Sequence, residues 1–162
     1  MVPDQRPPAA MIGSFQSLLL AFPVALFPAA LVTDITYLNT AEIQWTNFSA
    51  WLLAGGTLFA GLLLIGALVS LVRWRSGRAT LYFLLVLALF AVGLINSFQH
   101  SGDGWASVGT FGLILSILGA LLALAAGTIG YSSRGPRARS HEADLRERHT
   151  RPGGPHRVEI AR

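Results

Sequence analysis

The chain has 162 residues, of which 52% are hydrophobic and only 12% are charged. Its net charge of +4 comes from 12 basic residues, all of them arginine. The absence of cysteine excludes disulfides, thiolate metal sites, iron–sulfur clusters and cysteine nucleophiles. The length suits one domain, and the arginines cluster beyond apolar stretches, a distribution that does not indicate a nucleic-acid partner.

Four long stretches contain almost no ionisable residue, and they cover residues 18–32, 50–72, 81–95 and 108–131. The hydrocarbon core of a bilayer is about 30 Å thick, which an α-helix of about 20 residues crosses. These stretches lack the polar stripe that a helix of a soluble bundle carries. The sequence therefore predicts an all-α fold, an integral membrane four-helix bundle.

The predicted elements follow one another closely along the chain. An irregular, proline-rich leader covers residues 1–14, and the four-helix transmembrane domain covers residues 15–131. Its helices are expected at 15–37, 48–72, 79–99 and from a cap at Ser107 to residue 131. Thr46 or Asn47 is expected to cap the second helix. Pro23 and Pro28 predict a bend in the first helix, and small residues spaced four apart predict close helix packing.

The arginines all lie on one side of these spans. Arg73, Arg75 and Arg78 follow the second stretch, and eight more arginines lie in the tail at 132–162. The connections on the other side contain Asp34, Glu42 and Asp103 and no arginine. The positive-inside rule then places both termini in the cytoplasm. The tail is predicted to be disordered. Besides the bilayer itself, anionic lipids at the arginine-rich loop and tail are expected partners, as is a homo-oligomer or a larger membrane complex.

Ionisable residues near membrane depth are candidates for function, and here they gather at one end of the bundle. We predict that Asp34 and His100 lie together as a hydrogen-bonded cluster joining the first and third helices, with Glu42 or Asp103 nearby. The full candidate set is Asp34, Tyr37, Glu42, Asn96, His100 and Asp103. An alternative is a divalent metal site for zinc or manganese, or a small-ligand site. No catalytic motif is present, so we expect neither an enzyme nor a bound cofactor.

Several polar residues at fixed places also resemble a known bacterial family. They lie in FPVA at 22–25, TDITY at 33–37, TAE at 40–42, FSAWLL at 48–53 and NSFQHSGDGWASV at 96–108. This pattern resembles the domain-of-unknown-function 2231 family over residues 12–131. The resemblance implies a small multi-pass protein of the bacterial inner (cytoplasmic) membrane, with four helices and no established activity.

The resemblance also bears on haem. Many family members carry a His-Pro pair at the start of helix one and a histidine early in helix three, which suggests a haem or redox role. This chain has Gln16-Ser17 and Tyr82 at those places and so departs from the pattern.

Three hypotheses of function follow. The first is a non-enzymatic structural or accessory subunit of the membrane, because the spans hold few buried charges and no catalytic set. The second is a redox or cofactor-binding subunit that holds haem or a metal. The third is a small transporter or an oligomeric channel.

Overall fold

The computed structural model describes residues 13–102 and 108–132, and it confirms the predicted fold class. Within these ranges the chain forms four α-helices and no strand: α1 Ser14–Thr40, α2 Ile43–Trp74, α3 Gly77–His100 and α4 Thr110–Ser132. Each helix is long and apolar enough to cross a membrane. The leader up to residue 12 and the tail from residue 133, for which irregular structure and disorder were predicted, lie outside the described residues, as does Ser107.

Tight reversals join the first three helices. Ala41 ends α1 in the left-handed conformation, with φ 56°, and its N–H donates to the Tyr37 carbonyl. Only Glu42 then separates it from α2. The prediction that Thr46 or Asn47 caps α2 was wrong, because α2 begins at Ile43 and both residues lie within its first turns. Arg75, with φ 40°, ends α2 in the same way.

The helices form a square: each packs against the helix or helices next to it in the chain, and α1 also packs against α4. α1 and α3 therefore occupy opposite corners, as do α2 and α4. Neighbouring helices run antiparallel, so α1 and α3 end at the same side of the bundle, which we term the His100 end. The other side is termed the Arg78 end. Large apolar side chains cover the outer surface, as the predicted lipid environment requires.

Phe27 of α1 fills the middle of the square. Its ring is fully buried and is surrounded by glycines from all three other helices. A Cβ atom built on Gly56 of α2 would lie 3.1 Å from this ring, one on Gly93 of α3 would lie 2.7 Å away, and one on Gly119 of α4 would lie 2.8 Å away. These glycines are packing positions, since only hydrogen at the Cα leaves room for the ring.

Candidate functional site

A polar cluster lies inside the bundle near the His100 end, and every helix contributes to it. Its members are Asp34 of α1, Ser49 of α2, Asn96 and His100 of α3, and Ser116 of α4. The Asp34, Ser49, Asn96 and Ser116 side chains are fully buried. So many polar groups in an apolar interior require mutual hydrogen bonds.

The central contact of the cluster joins opposite corners of the square. His100 Nε2 lies 3.0 Å from Asp34 Oδ1, and both side chains are completely inaccessible. The backbones of α1 and α3 do not approach each other closely, so the two side chains span the gap between them. The pair therefore adds a direct polar link to the apolar contact that Phe27 of α1 makes with Gly93 of α3.

Serine side chains complete the cluster from the other two corners. Ser116 Oγ donates to Asp34 Oδ2 and accepts a hydrogen bond of 2.8 Å from Asn96 Nδ2. Ser49 Oγ lies 3.4 Å from the Ala30 carbonyl and 3.4 Å from His100 Nε2. The Ser116 hydroxyl thus acts as donor and acceptor at once, and Ser49 brings α2 into the cluster.

The contacts of His100 orient its ring. Nδ1 is 3.0 Å from the Asn96 backbone carbonyl, which can only accept, so Nδ1 carries a proton. Nε2 then faces Asp34 Oδ1 over 3.0 Å and the Ser49 hydroxyl over 3.4 Å. Both ring nitrogens thus have polar partners, which lowers the cost of burying the ring.

Three members of the cluster lie well inside their helices. Asp34 is six residues before the end of α1, and Ser49 and Ser116 are each six residues after the start of their helices. At a rise of 1.5 Å per residue this is about 9 Å from the helix ends. A polar contact that is buried among helices interacts more strongly than one at a surface, because water screens it less.

The structure brings together three of the six predicted site residues: Asp34, Asn96 and His100. Tyr37 is half-buried one turn beyond Asp34, and Glu42 is exposed at the start of α2. Asp103 lies outside the described residues. Among residues 13–102 and 108–132, no group of three or more His, Cys, Asp or Glu side chains could hold a metal ion. The metal alternative therefore needs a third ligand beyond this pair.

Sequence reasoning did not identify Ser49 and Ser116 as members of the cluster. The spacing of four between Gly112 and Ser116 predicts only that Ser116 is a small packing residue. A signal for both exists, because each lies six residues from the His100 end of its helix, the same depth as Asp34. Counting polar residues from a common end of antiparallel helices would have aligned all three.

The opposite half of the interior is mostly apolar. Tyr82 of α3 is fully buried in a cluster that includes Leu20, Leu63 and Val86. Its hydroxyl has no hydrogen-bond partner within the described chain. Nearby, Tyr131 donates to the Ser17 carbonyl over 3.3 Å.

Comparison with known proteins yields one match. The family model described as "Predicted membrane protein (DUF2231)" matches residues 16–134, which cover all four helices. No curated protein matches the chain, and no solved structure matches it either.

Proposed function

We propose an accessory, non-enzymatic role in the membrane for this chain, which belongs to the DUF2231 family of predicted membrane proteins. In this proposal the four-helix domain is a compact structural subunit of a bacterial inner membrane. Its polar interior holds the helices in one arrangement, and its apolar exterior contacts lipid and neighbouring membrane proteins.

The observation that carries the proposal is the closure of the polar cluster. Asp34 is held by His100 and Ser116, so its hydrogen bonds are directed inward. A buried polar network of this kind favours one specific packing of helices over others that leave its members unpaired. Such a network suits a structural subunit, because the surface that contacts its partners must keep one shape.

The partners of such a subunit follow from its two ends. Arg75 and Arg78 are exposed at the Arg78 end, where they suit the headgroups of anionic lipids. Both termini would then be cytoplasmic, as the arginine distribution predicts. The broad apolar surface suits a homo-oligomer or a larger membrane complex, which we propose as the assembly in which this chain acts.

The decisive experiment is purification from native membranes in a mild detergent, followed by native mass spectrometry and an absorption spectrum. We expect a complex of fixed stoichiometry, without a visible absorption band. A matched control is a chain with the Asp34→Leu substitution, which should lose the complex. Recovery of a monomer alone from both chains would contradict the accessory role, and a haem or metal absorption band would favour the redox alternative.

Transport is the second candidate, and the position of the Asp34–His100 pair favours it. Ionisable side chains at membrane depth often belong to ion or proton pathways. The test is the uptake of protons or cations by liposomes that contain the purified chain. Flux above that of empty liposomes, abolished by Asp34→Asn, would replace the accessory role with a transport role. Equal flux in all three preparations would remove this candidate.

A further inference from the structure

α2 is longer than a bilayer requires. It has 32 residues, which at a rise of 1.5 Å per residue give a length of about 48 Å. The hydrocarbon core of a bilayer is about 30 Å thick. Only a tilt of about 50° would place the whole helix inside it, and membrane helices tilt by about 0–40°. Some turns of α2 therefore lie outside the hydrocarbon.

The exposed residues of α2 show which turns these are. From Trp51 to Val72 every exposed residue is apolar. These two residues are 21 positions apart, so about 32 Å of helix separates them. Before this segment the exposed surface of α2 carries Gln44 and Asn47, and after it comes the exposed Arg73. The apolar segment thus matches the thickness of the hydrocarbon, and polar side chains flank it on both sides.

Aromatic side chains lie at the end of this segment that is nearer to the His100 end. Trp51 is 79% exposed, and Trp45 and Phe48, which precede it by two turns and one turn, are 36% and 48% exposed. The rings of Trp45 and Phe48 are 6.1 Å apart. An indole combines an apolar ring with an N–H donor, so tryptophan is enriched where hydrocarbon meets headgroups. We term Trp45, Phe48 and Trp51 the aromatic face of α2.

We infer that the hydrocarbon of the bilayer ends at the level of Trp51, and that the aromatic face of α2 is embedded in the lipid headgroup layer on the His100 side. Its partner is the boundary between the acyl chains of phospholipids and their ester and phosphate groups. The acyl chains contact the rings, and the ester and phosphate oxygens accept hydrogen bonds from the indole N–H groups.

The level of Trp51 also determines the level of the polar cluster in the bilayer. Ser49 is two residues before Trp51. Its hydroxyl lies 3.4 Å from His100 Nε2, which in turn lies 3.0 Å from Asp34 Oδ1. The cluster therefore lies at the edge of the hydrocarbon, enclosed by the four helices. The ends of α1 and α2 that extend about 9 Å beyond it are in the headgroup layer.

The test measures the depth of Trp51 by fluorescence quenching in nanodiscs of brominated phosphatidylcholine. Trp45, Trp74 and Trp105 are replaced by phenylalanine, so that one tryptophan remains. Trp51 should lose more fluorescence to bromines near the headgroup end of the acyl chains than to bromines near the methyl end. The matched control combines Trp51→Phe with Leu58→Trp, which moves the only indole about 10 Å deeper along α2. In this control the order of quenching should reverse.

A second measurement applies even if the chain with one tryptophan does not fold, as judged by circular dichroism. The native chain has no cysteine, so Gln44→Cys and Ala54→Cys each introduce a single thiol at a position that is exposed on the protein. A water-soluble maleimide should modify Gln44→Cys in nanodiscs and leave Ala54→Cys unmodified, because only the second thiol lies in hydrocarbon.

Several results would overturn the inference. Quenching of Trp51 that is equal from both positions, or stronger from the methyl end, would place this residue deeper in the hydrocarbon. Quenching from neither position would show that lipid does not cover the aromatic face. An unreactive Gln44→Cys or a reactive Ala54→Cys would likewise reject the proposed boundary. None of these results bears on the accessory role, which depends on the recovery of a complex.

Discussion

The two ends of the bundle interior are built on different principles. At the His100 end, charged and polar side chains from all four helices bind one another, with the Asp34–His100 contact of 3.0 Å at their centre. At the Arg78 end, apolar side chains such as Leu20, Leu63 and Val86 surround the phenol of Tyr82, whose hydroxyl lacks a partner among the described residues. One end has a buried hydrogen-bonded cluster at its centre. The other has a closely packed apolar centre, with interhelical hydrogen bonds such as Tyr131 to the Ser17 carbonyl beside it.

The difference shows what each kind of interaction supplies inside a membrane. Apolar packing between helices has little hydrophobic driving force in lipid, because lipid tails are equally apolar, so shape alone selects the arrangement. Polar contacts add direction, since a shifted helix would leave a donor or a charge unpaired. The polar end therefore fixes which helices meet, and the apolar end lets them fit closely once they have met.

The largest expected effect is a difference in chemical labelling between the two ends, because they face opposite sides of the membrane. Gly77→Cys and Gly102→Cys place single thiols at exposed positions of the Arg78 end and the His100 end. An impermeant thiol reagent applied to intact cells should label position 102 and leave position 77 unlabelled, because arginine-rich loops stay in the cytoplasm. Lysed cells, in which both should react, are the control, and labelling of position 77 alone in intact cells would invert the topology.

A charge that loses its partner should give the next largest effect. His100→Leu or Asp34→Leu alone should reduce the free energy of unfolding by about 3–5 kcal/mol, because each leaves one buried group unpaired. The double variant should lose less than the sum of the two, since leucine replaces both charges. SDS-induced unfolding in detergent micelles measures all three. Strictly additive losses would show that the pair is not coupled.

Packing around Phe27 should respond to a single added methyl group. Gly119→Ala should destabilise the bundle by about 1–3 kcal/mol, because the Phe27 ring is enclosed and has no space to move into. Gly77→Ala is the matched control, as no atom lies within 4 Å of a Cβ built there. Thermal unfolding in detergent compares them. Equal stability of the two variants would mean that the glycines around the Phe27 ring are not tightly packed against it.

The smallest expected effect concerns the unpaired phenol. Tyr82→Phe should leave stability unchanged or raise it by up to about 1 kcal/mol, since it removes a buried hydroxyl without a partner. Ser116→Ala removes one hydroxyl at the polar end and should instead lower stability by about 1 kcal/mol, because it deprives Asp34 of a donor. Stability changes of opposite sign in the same thermal assay would support the contrast between the two ends. A clear loss of stability in Tyr82→Phe would indicate that the Tyr82 hydroxyl has a hydrogen-bond partner.

The sequence predicts the four spans because apolar runs of this length have few other solutions. It also directs attention to Asp34 and His100, which are almost the only ionisable groups at their end. It does not reveal the start of α2. The polar residues from Asn39 to Thr46 resemble a loop, and a left-handed Ala41 cannot be predicted, since glycine normally takes that conformation. The role of a serine such as Ser49 cannot be predicted from the sequence either, because a hydroxyl in a membrane helix can also form a hydrogen bond with the backbone of its own helix.

The packing of the Phe27 ring among glycines of the other three helices limits how this bundle can move. If α1 slid by one turn along its neighbours, the ring would leave Gly93 and meet Leu89, or leave Gly56 and meet Leu53, where side chains already fill the space. Piston motion along the membrane normal is therefore blocked by steric overlap. A tilt or a rotation of the helices about this central ring would avoid that overlap.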